Sequence, residues 1–124
     1  MKKTSNENTE QILETVVNAI QDGKGEDIRS LDLTEIPHAM ADHFVVCHGN
    51  SHTQVRAIAR IVEEATEKEL GELPWMKEGM QHGEWCLLDF SSVVVHIFYR
   101  EARTFYGLEE LWADAKVKEY EYGV

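Results

Sequence analysis

The stretch HFVVCHGNSHTQVRAIARIVEE, residues 43–64, decides how the rest of the chain is read. Phe44-Val45-Val46-Cys47 is an unbroken apolar run as long as a buried strand, and Gly49-Asn50-Ser51 then turns the chain. Beyond the turn, Val55, Ile58, Ala59, Val62 and Ala65 recur at three- and four-residue steps, while Arg56, Arg60, Glu63, Glu64 and Glu67 fall on the other side. A buried strand feeding directly into an amphipathic helix is a building unit of layered α/β domains. It is also where nucleotide-transferring proteins hold a phosphate, because free N–H groups and the positive helix end converge there. A local explanation competes. Ser51-His52-Thr53-Gln54 has the pattern of a capping box, in which Ser51 accepts from the third helical amide and Gln54 reaches back to the cap N–H. Gly49 would supply the conformational freedom of the turn. Losing such a cap costs about 1 kcal/mol, reason enough for these residues.

Working outward, residues Thr9 to Asp22 place Ile12, Val16, Ala19 and Ile20 at helical spacing, with Leu13 and Val17 widening the stripe and Gly23 and Gly25 beyond it. Ile28 to Leu33 predicts a strand of about six residues, Pro37 breaks the chain, and His38 to Asp42 has room for one helical turn. The helix from Ser51 ends near Gly71, Leu73 to Met76 reads as extended or irregular, and Gly79 to Gly83 reads as a loop. Trp85 to Phe90 and Val93 to Phe98, separated by Ser91-Ser92, make the best hairpin in the chain. In its second strand Val93, Val95 and Ile97 share one face and Val94, His96 and Phe98 the other, so both faces are expected to be covered. Glu101 to Trp112 has short helical character, and Ala115 to Val124 is charged and expected to be loose. The pattern predicts one α/β (α+β) domain at residues 9–114, a mixed sheet of four or five strands flanked by helices. A flexible N-terminus at 1–8 and a charged tail at 115–124 complete the expectation.

The 124 residues are enough for one hydrophobic core and too few for two ordinary domains. No apolar run approaches the roughly 20 residues that span a bilayer, and MKKTSNENTEQ has no apolar segment behind its two lysines. Cys47 and Cys86 sit inside apolar runs without a partner pattern, as small core residues do in a reducing compartment. The reading is a cytoplasmic protein with no membrane segment. A formal net charge of -11, from 23 acidic against 12 basic residues, repels phosphate backbones and disfavours direct nucleic-acid binding. A basic protein partner fits better, although the same charge also keeps a small domain soluble.

Transfer chemistry at the Gly-Asn-Ser turn would need carboxylates to seat a divalent ion, normally a pair separated by one residue on the next strand. Downstream of Ser51 the first acid is Glu63, well inside the helix, and no acid-x-acid pair follows. Asp89 and Asp32 remain as an alternative site for a metal-dependent nucleotidyltransferase. A third reading is an effector-binding module in which Ser51 and the helix N-terminus hold an anion. His43, His48 and His52 lie close in sequence, but five residues along a strand put His43 and His48 on opposite faces, so no zinc site is expected. His96, in the middle of an apolar strand, reads as a satisfied core histidine. No serine or cysteine has a sequence-evident base, and neither a catalytic residue nor a cofactor is expected.

The segment EWCLLDFSSVVVHIFYREARTFYGLEELWADAK, residues 84–116, resembles the ribosomal silencing factor family, also called the iojap family. The resemblance lies in Trp85, Asp89, Val93-Val94-Val95-His96-Ile97-Phe98, Arg103, Tyr106, Leu108, Glu109, Leu111 and Trp112. It continues upstream in Lys24-Gly25-Glu26-Asp27-Ile28, in Leu31-Asp32-Leu33, and from Phe44-Val45-Val46 through Gly49-Asn50-Ser51 to Gln54-Val55 and Ala57-Ile58, nearly the whole chain. It implies a nucleotidyltransferase-like fold without transfer chemistry. It further implies that the chain binds the large ribosomal subunit through its fourteenth protein, blocks joining of the small subunit, and lowers translation when nutrients are scarce. One departure stands out: the family's Gly-Asp hairpin turn is Ser91-Ser92 here.

With that resemblance, Trp85, Asp89, Phe98, Tyr106, Leu108 and Leu111 become the expected contact patch, large amphipathic side chains being typical interface anchors. His96, Arg103 and Trp112 are expected to support it, Arg103 by orienting Asp89 or Tyr106. The resemblance and the spare aromatic surface also suit a homodimer.

Overall fold

The computed structural model describes residues 2–121, with side chains described from Glu7 onwards. Its elements are α1 (Lys2–Asp22), β1 (Glu26–Asp32), β2 (His43–Gly49), α2 (His52–Leu70), β3 (Met76–Glu78), β4 (Trp85–Asp89), β5 (Val93–Tyr99), α3 (Arg100–Tyr106), α4 (Leu108–Leu111) and β6 (Lys116–Tyr120). The strands form one mixed sheet in the order β3-β4-β5-β2-β1-β6, with β2 and β5 parallel and every other pair antiparallel. The expected α+β domain is present, with six strands instead of four or five.

Strand register fixes two faces. On one, Val45 and Cys47 pair with Val95 and Ile97, beside Cys86 and Leu88, and α1 and α2 cover them with Ile12, Val16, Ile20, Val55, Ile58 and Val62. Burying each such side chain contributes about 1.5–3 kcal/mol, so the two apolar stripes hold these helices to the sheet. Thr66 completes the α2 stripe, its buried hydroxyl donating to the Glu63 carbonyl at 3.1 Å. On the other face Leu31, Val46 and Phe98 pack with Leu33, Ala102, Leu108 and Ala115 in a smaller core.

The strand-to-helix junction is a built cap. Ser51 Oγ accepts the Gln54 N–H at 3.0 Å, and Gln54 Oε1 accepts the N–H of Asn50 at 2.7 Å, one residue ahead of the cap rather than at the cap itself. Gly49 has no left-handed φ; a Cβ there would sit 3.1 Å from Gln54 Oε1 and 3.3 Å from a Val55 methyl, so close approach and not freedom explains it.

Four expectations are corrected. The segment expected as a charged loose tail forms strand β6 along β1 over Lys116–Tyr120; residues 122–124 and Met1 lie outside the described residues. Helix α1 begins at Lys2 rather than Thr9, since adding turns to a packed helix needs no new nucleation. Residue 38 ends a turn and residues 40–42 make bends, with no helical turn between Pro37 and β2. Finally, the single C-terminal helix is two, α3 and α4, broken where Gly107 takes a φ of +60°.

Candidate functional site

The second face of the sheet is covered over only part of its width. Pairing places Met76, Leu87 and Asp89 on this face together with Trp85, Val94, His96, Phe98 and Phe44. Helix α3 packs over β5 and β2, which leaves Met76, Leu87 and Asp89 of the β3–β4 end half-exposed. At the boundary between covered and open halves sits Trp85. Its indole tilts against Phe98 and Tyr106, both with ring centres at 4.8 Å, and its Nε1–H donates to His96 Nδ1 at 3.1 Å. Phe105 stands edge-on to Tyr106 and is 81% exposed, and Leu111 is 76% exposed. Beside Trp85 a hollow of about 240 Å³ is lined by Glu78, Gly79 and Leu87. Gly79 is required there: at φ +79° a Cβ would lie 1.9 Å from the Trp85 carbonyl.

Of the residues singled out from the sequence, Trp85, Asp89 and Tyr106 reach this surface, and Leu111 is exposed on α4. Phe98 and Leu108 do not reach it: Phe98 is fully buried and Leu108 nearly so, both in the smaller core beneath the face. Trp112 is half-buried and meets Phe44 edge-on at 5.6 Å. His96 is buried as expected, but only one ring nitrogen is satisfied, since Nε2 has no partner. The sequence reading missed Phe105, Leu87, Phe44 and Met76. For Leu87 the signal existed, because period-two alternation puts it between Trp85 and Asp89 on one face.

Arg103 orients neither Asp89 nor Tyr106. It is 8% exposed and donates through Nε and Nη2 to the two Glu109 oxygens at 2.9 and 3.0 Å, and through Nη1 to the Asp27 carbonyl at 2.8 Å. Nη1 also lies 2.9 Å from His48 Nδ1. A guanidinium only donates, so His48 accepts and carries its proton on Nε2, which faces Glu26 at 3.6 Å. Burial, with Arg103 beside it, holds the His48 imidazole below its ordinary range. Arg29 closes the cluster through Asp27 and Glu109. The same groups line a cavity of about 340 Å³ at the carboxyl ends of β2 and β5. Their chemistry is that of a clamp, Arg29 and Arg103 being matched by Asp27 and Glu109.

The alternative metal site does not assemble. Asp32 pairs with His43 on the helix-covered face and accepts from Thr34 N–H and Oγ1 at 2.9 and 2.6 Å, which holds its carboxyl below the usual range. Asp89 lies on the opposite face and accepts the Ser91 N–H at 2.7 Å. Three strand spacings separate them, roughly 14 Å, far more than one ion bridges. At the α2 N-terminus, the capping bonds already engage the amides of Asn50 and Gln54.

Comparison with known proteins gives this face its context. Residues 6–122 match the family model described as ribosomal silencing factor during starvation. The chain belongs to the ribosomal silencing factor family. It is 38% identical over 117 residues to the ribosomal silencing factor RsfS of Bacillus subtilis, covering 94% of this chain and 98% of the relative. It is 31% identical over 101 residues to the chloroplastic protein Iojap of Zea mays, covering 82% of this chain and 43% of that larger relative. A Chromobacterium violaceum crystal structure superposes with a TM-score of 0.78 at 33% identity, over 93% of this chain and 94% of that one. A Bacillus halodurans crystal structure gives 0.75 at 35%, over 90% and 98%.

The hairpin turn holds a strained residue: Ser91 has a φ of +79°, a conformation glycine adopts without strain. Asp89 closes that turn, so its carboxylate is engaged locally. Among the described residues, no helix is long and apolar enough to cross a membrane.

Proposed function

We propose that this chain docks on the large ribosomal subunit through the face around Trp85, meets the fourteenth protein of that subunit, and represses translation by standing where the small subunit joins. The observation that carries the reading is the open end of the sheet. There a half-exposed Trp85 is held by three rings, one of which, Tyr106, meets the exposed Phe105, in a chain whose family description names ribosome silencing during starvation. Aromatic anchors of this kind dominate binding energy when a partner buries them. The net charge of -11 complements a basic ribosomal protein, speeds encounter and makes association salt-sensitive. The mechanism needs no chemistry on either partner, only occupancy of a surface that the small subunit also requires.

The test is sedimentation of purified ribosomal subunits with the protein at two salt concentrations. Comigration with the large subunit, weaker at higher salt, together with loss of joined ribosomes is expected. Full joining in the presence of saturating protein would reject the function.

A further inference from the structure

His96 is an expensive choice for the middle of a buried strand. The indole of Trp85 has a donor and no acceptor, so the bond between Trp85 Nε1 and His96 Nδ1 at 3.1 Å runs from indole to imidazole. The neutral ring therefore carries its proton on Nε2. That Nε2–H is buried without a hydrogen-bond partner. Phe44 stands edge-on to the ring at 4.6 Å and Phe98 stacks at 6.4 Å, which leaves the imidazole in an apolar enclosure. Burial pushes its pKa down to about 3, so Nδ1 stays an acceptor at neutral pH. Leucine or phenylalanine at this position would fill the space and remove the unpaired Nε2–H, but would leave the Trp85 indole N–H without its acceptor. What the histidine adds is one bond, and that bond ends on the residue at the centre of the docking face.

We propose that His96 is a positioning residue for docking: by accepting the indole N–H it holds Trp85 in the single tilt, set by Phe98 and Tyr106, that the partner meets. The proposal rests on the docking function above. Without the acceptor, the indole N–H gains a partner only by turning towards solvent, and the aromatic surface loses its fixed shape. A preorganised anchor binds more tightly than one ordered on contact.

The test uses the full chain as wild type, His96→Phe, Trp85→Phe and the double variant. Affinity for purified large subunits is read by cosedimentation, stability by urea denaturation, and the Trp85 indole N–H by ¹⁵N-resolved magnetic resonance. His96→Phe is expected to bind about tenfold more weakly while remaining at least as stable, and to shift the indole resonance and quicken its hydrogen exchange. In the Trp85→Phe background the same change should add less than about twofold, because its route of action is gone. His96→Leu replaces His96→Phe if the larger ring prevents folding. His96→Asn, which returns an acceptor oxygen near the Nδ1 position, should recover part of the affinity.

An equal further loss in both backgrounds would make His96 a packing residue only, and unchanged affinity of folded His96→Phe would likewise overturn the proposal. An unmoved indole resonance rejects the role of His96 and leaves docking standing. Wild-type protein that fails to comigrate rejects docking itself and the positioning role with it.

Discussion

Arg103 and Glu109 face each other across Gly107 with paired contacts of 2.9 and 3.0 Å, and the same guanidinium reaches the Asp27 carbonyl and His48. One side chain thus ties α3 to α4, β1 and β2, and so fixes where Tyr106 and Leu111 stand. Arg103→Met should lower stability by roughly 3 kcal/mol, because it strands a carboxylate, an imidazole and a carbonyl that are largely shielded from water. Arg103→Lys should restore little of this, since an ammonium cannot make the two parallel bonds to Glu109. Urea unfolding with an unchanged denaturant slope is the measurement. A loss below about 1 kcal/mol would show the clamp to be dispensable.

Burial separates the docking patch into residues that touch and residues that support. Phe105→Ala, at an exposed position, should leave stability within about 0.5 kcal/mol and weaken large-subunit binding. Phe98→Ala should cost about 3–5 kcal/mol of stability through the cavity it leaves. Trp85→Ala, half-exposed, should retain the fold and lose about 30- to 1,000-fold in affinity, corresponding to 2–4 kcal/mol. Folded Trp85→Ala and Phe105→Ala proteins that bind as wild type does would move the contact surface elsewhere.

What could be read beforehand follows the periodic burial of the chain. The stripe Val55-Ile58-Ala59-Val62 and the doubly apolar strand Val93–Tyr99 carry strong patterns, and both elements stand where those patterns put them. Strand β6 was illegible because it is an edge strand with almost every residue exposed, so Lys116–Tyr120 carries no period-two burial and looks like a tail. Three-residue β3 was too short for any periodic signal. The site divides in the same way. Trp85 and Tyr106 announce themselves as aromatics beside a hairpin, whereas the burial of Phe98 and Leu108 depends on where α3 and α4 fold back, a long-range fact absent from local sequence. The partners of Arg103 come from β1, β2 and α4, and no spacing rule brings Asp27, His48 and Glu109 together.

Two histidines make stability depend on pH. His96 is held down to about 3 by burial, and His48 is lowered by burial and then by Arg103, against an opposing pull from Glu26 and Asp27. In the unfolded chain both take up a proton near 6.5, while folded His96 stays neutral until about 3. The folded state therefore binds fewer protons, and its stability, full above about pH 7, declines as the pH falls from 6.5 towards 3. For His96 alone the loss is about 2 kcal/mol by pH 5. Urea unfolding between pH 7 and pH 5 should give a flatter profile for His96→Phe than for wild type, the difference approaching that amount. Parallel profiles would show that His96 titrates normally.

The turn at Ser91 offers a stabilising substitution. Its φ of +79° is costly for any residue with a Cβ, on the order of 1–3 kcal/mol, and is held by the Asp89 carboxylate on its N–H and by the Phe90–Val93 bond at 2.8 Å. Ser91→Gly removes the strain and adds about 0.5–1 kcal/mol of unfolded-chain entropy, leaving a net gain of roughly 1 kcal/mol. Asp89→Ala should act in the opposite direction by about 1 kcal/mol, since it frees the N–H that the turn depends on. Combined, the two changes should not add, because without the Asp89 bond the turn is free to leave the strained conformation that glycine relieves. Thermal unfolding of the two single variants and the double variant checks this. A destabilised Ser91→Gly protein would mean that the serine side chain contributes more to the turn than its backbone strain subtracts.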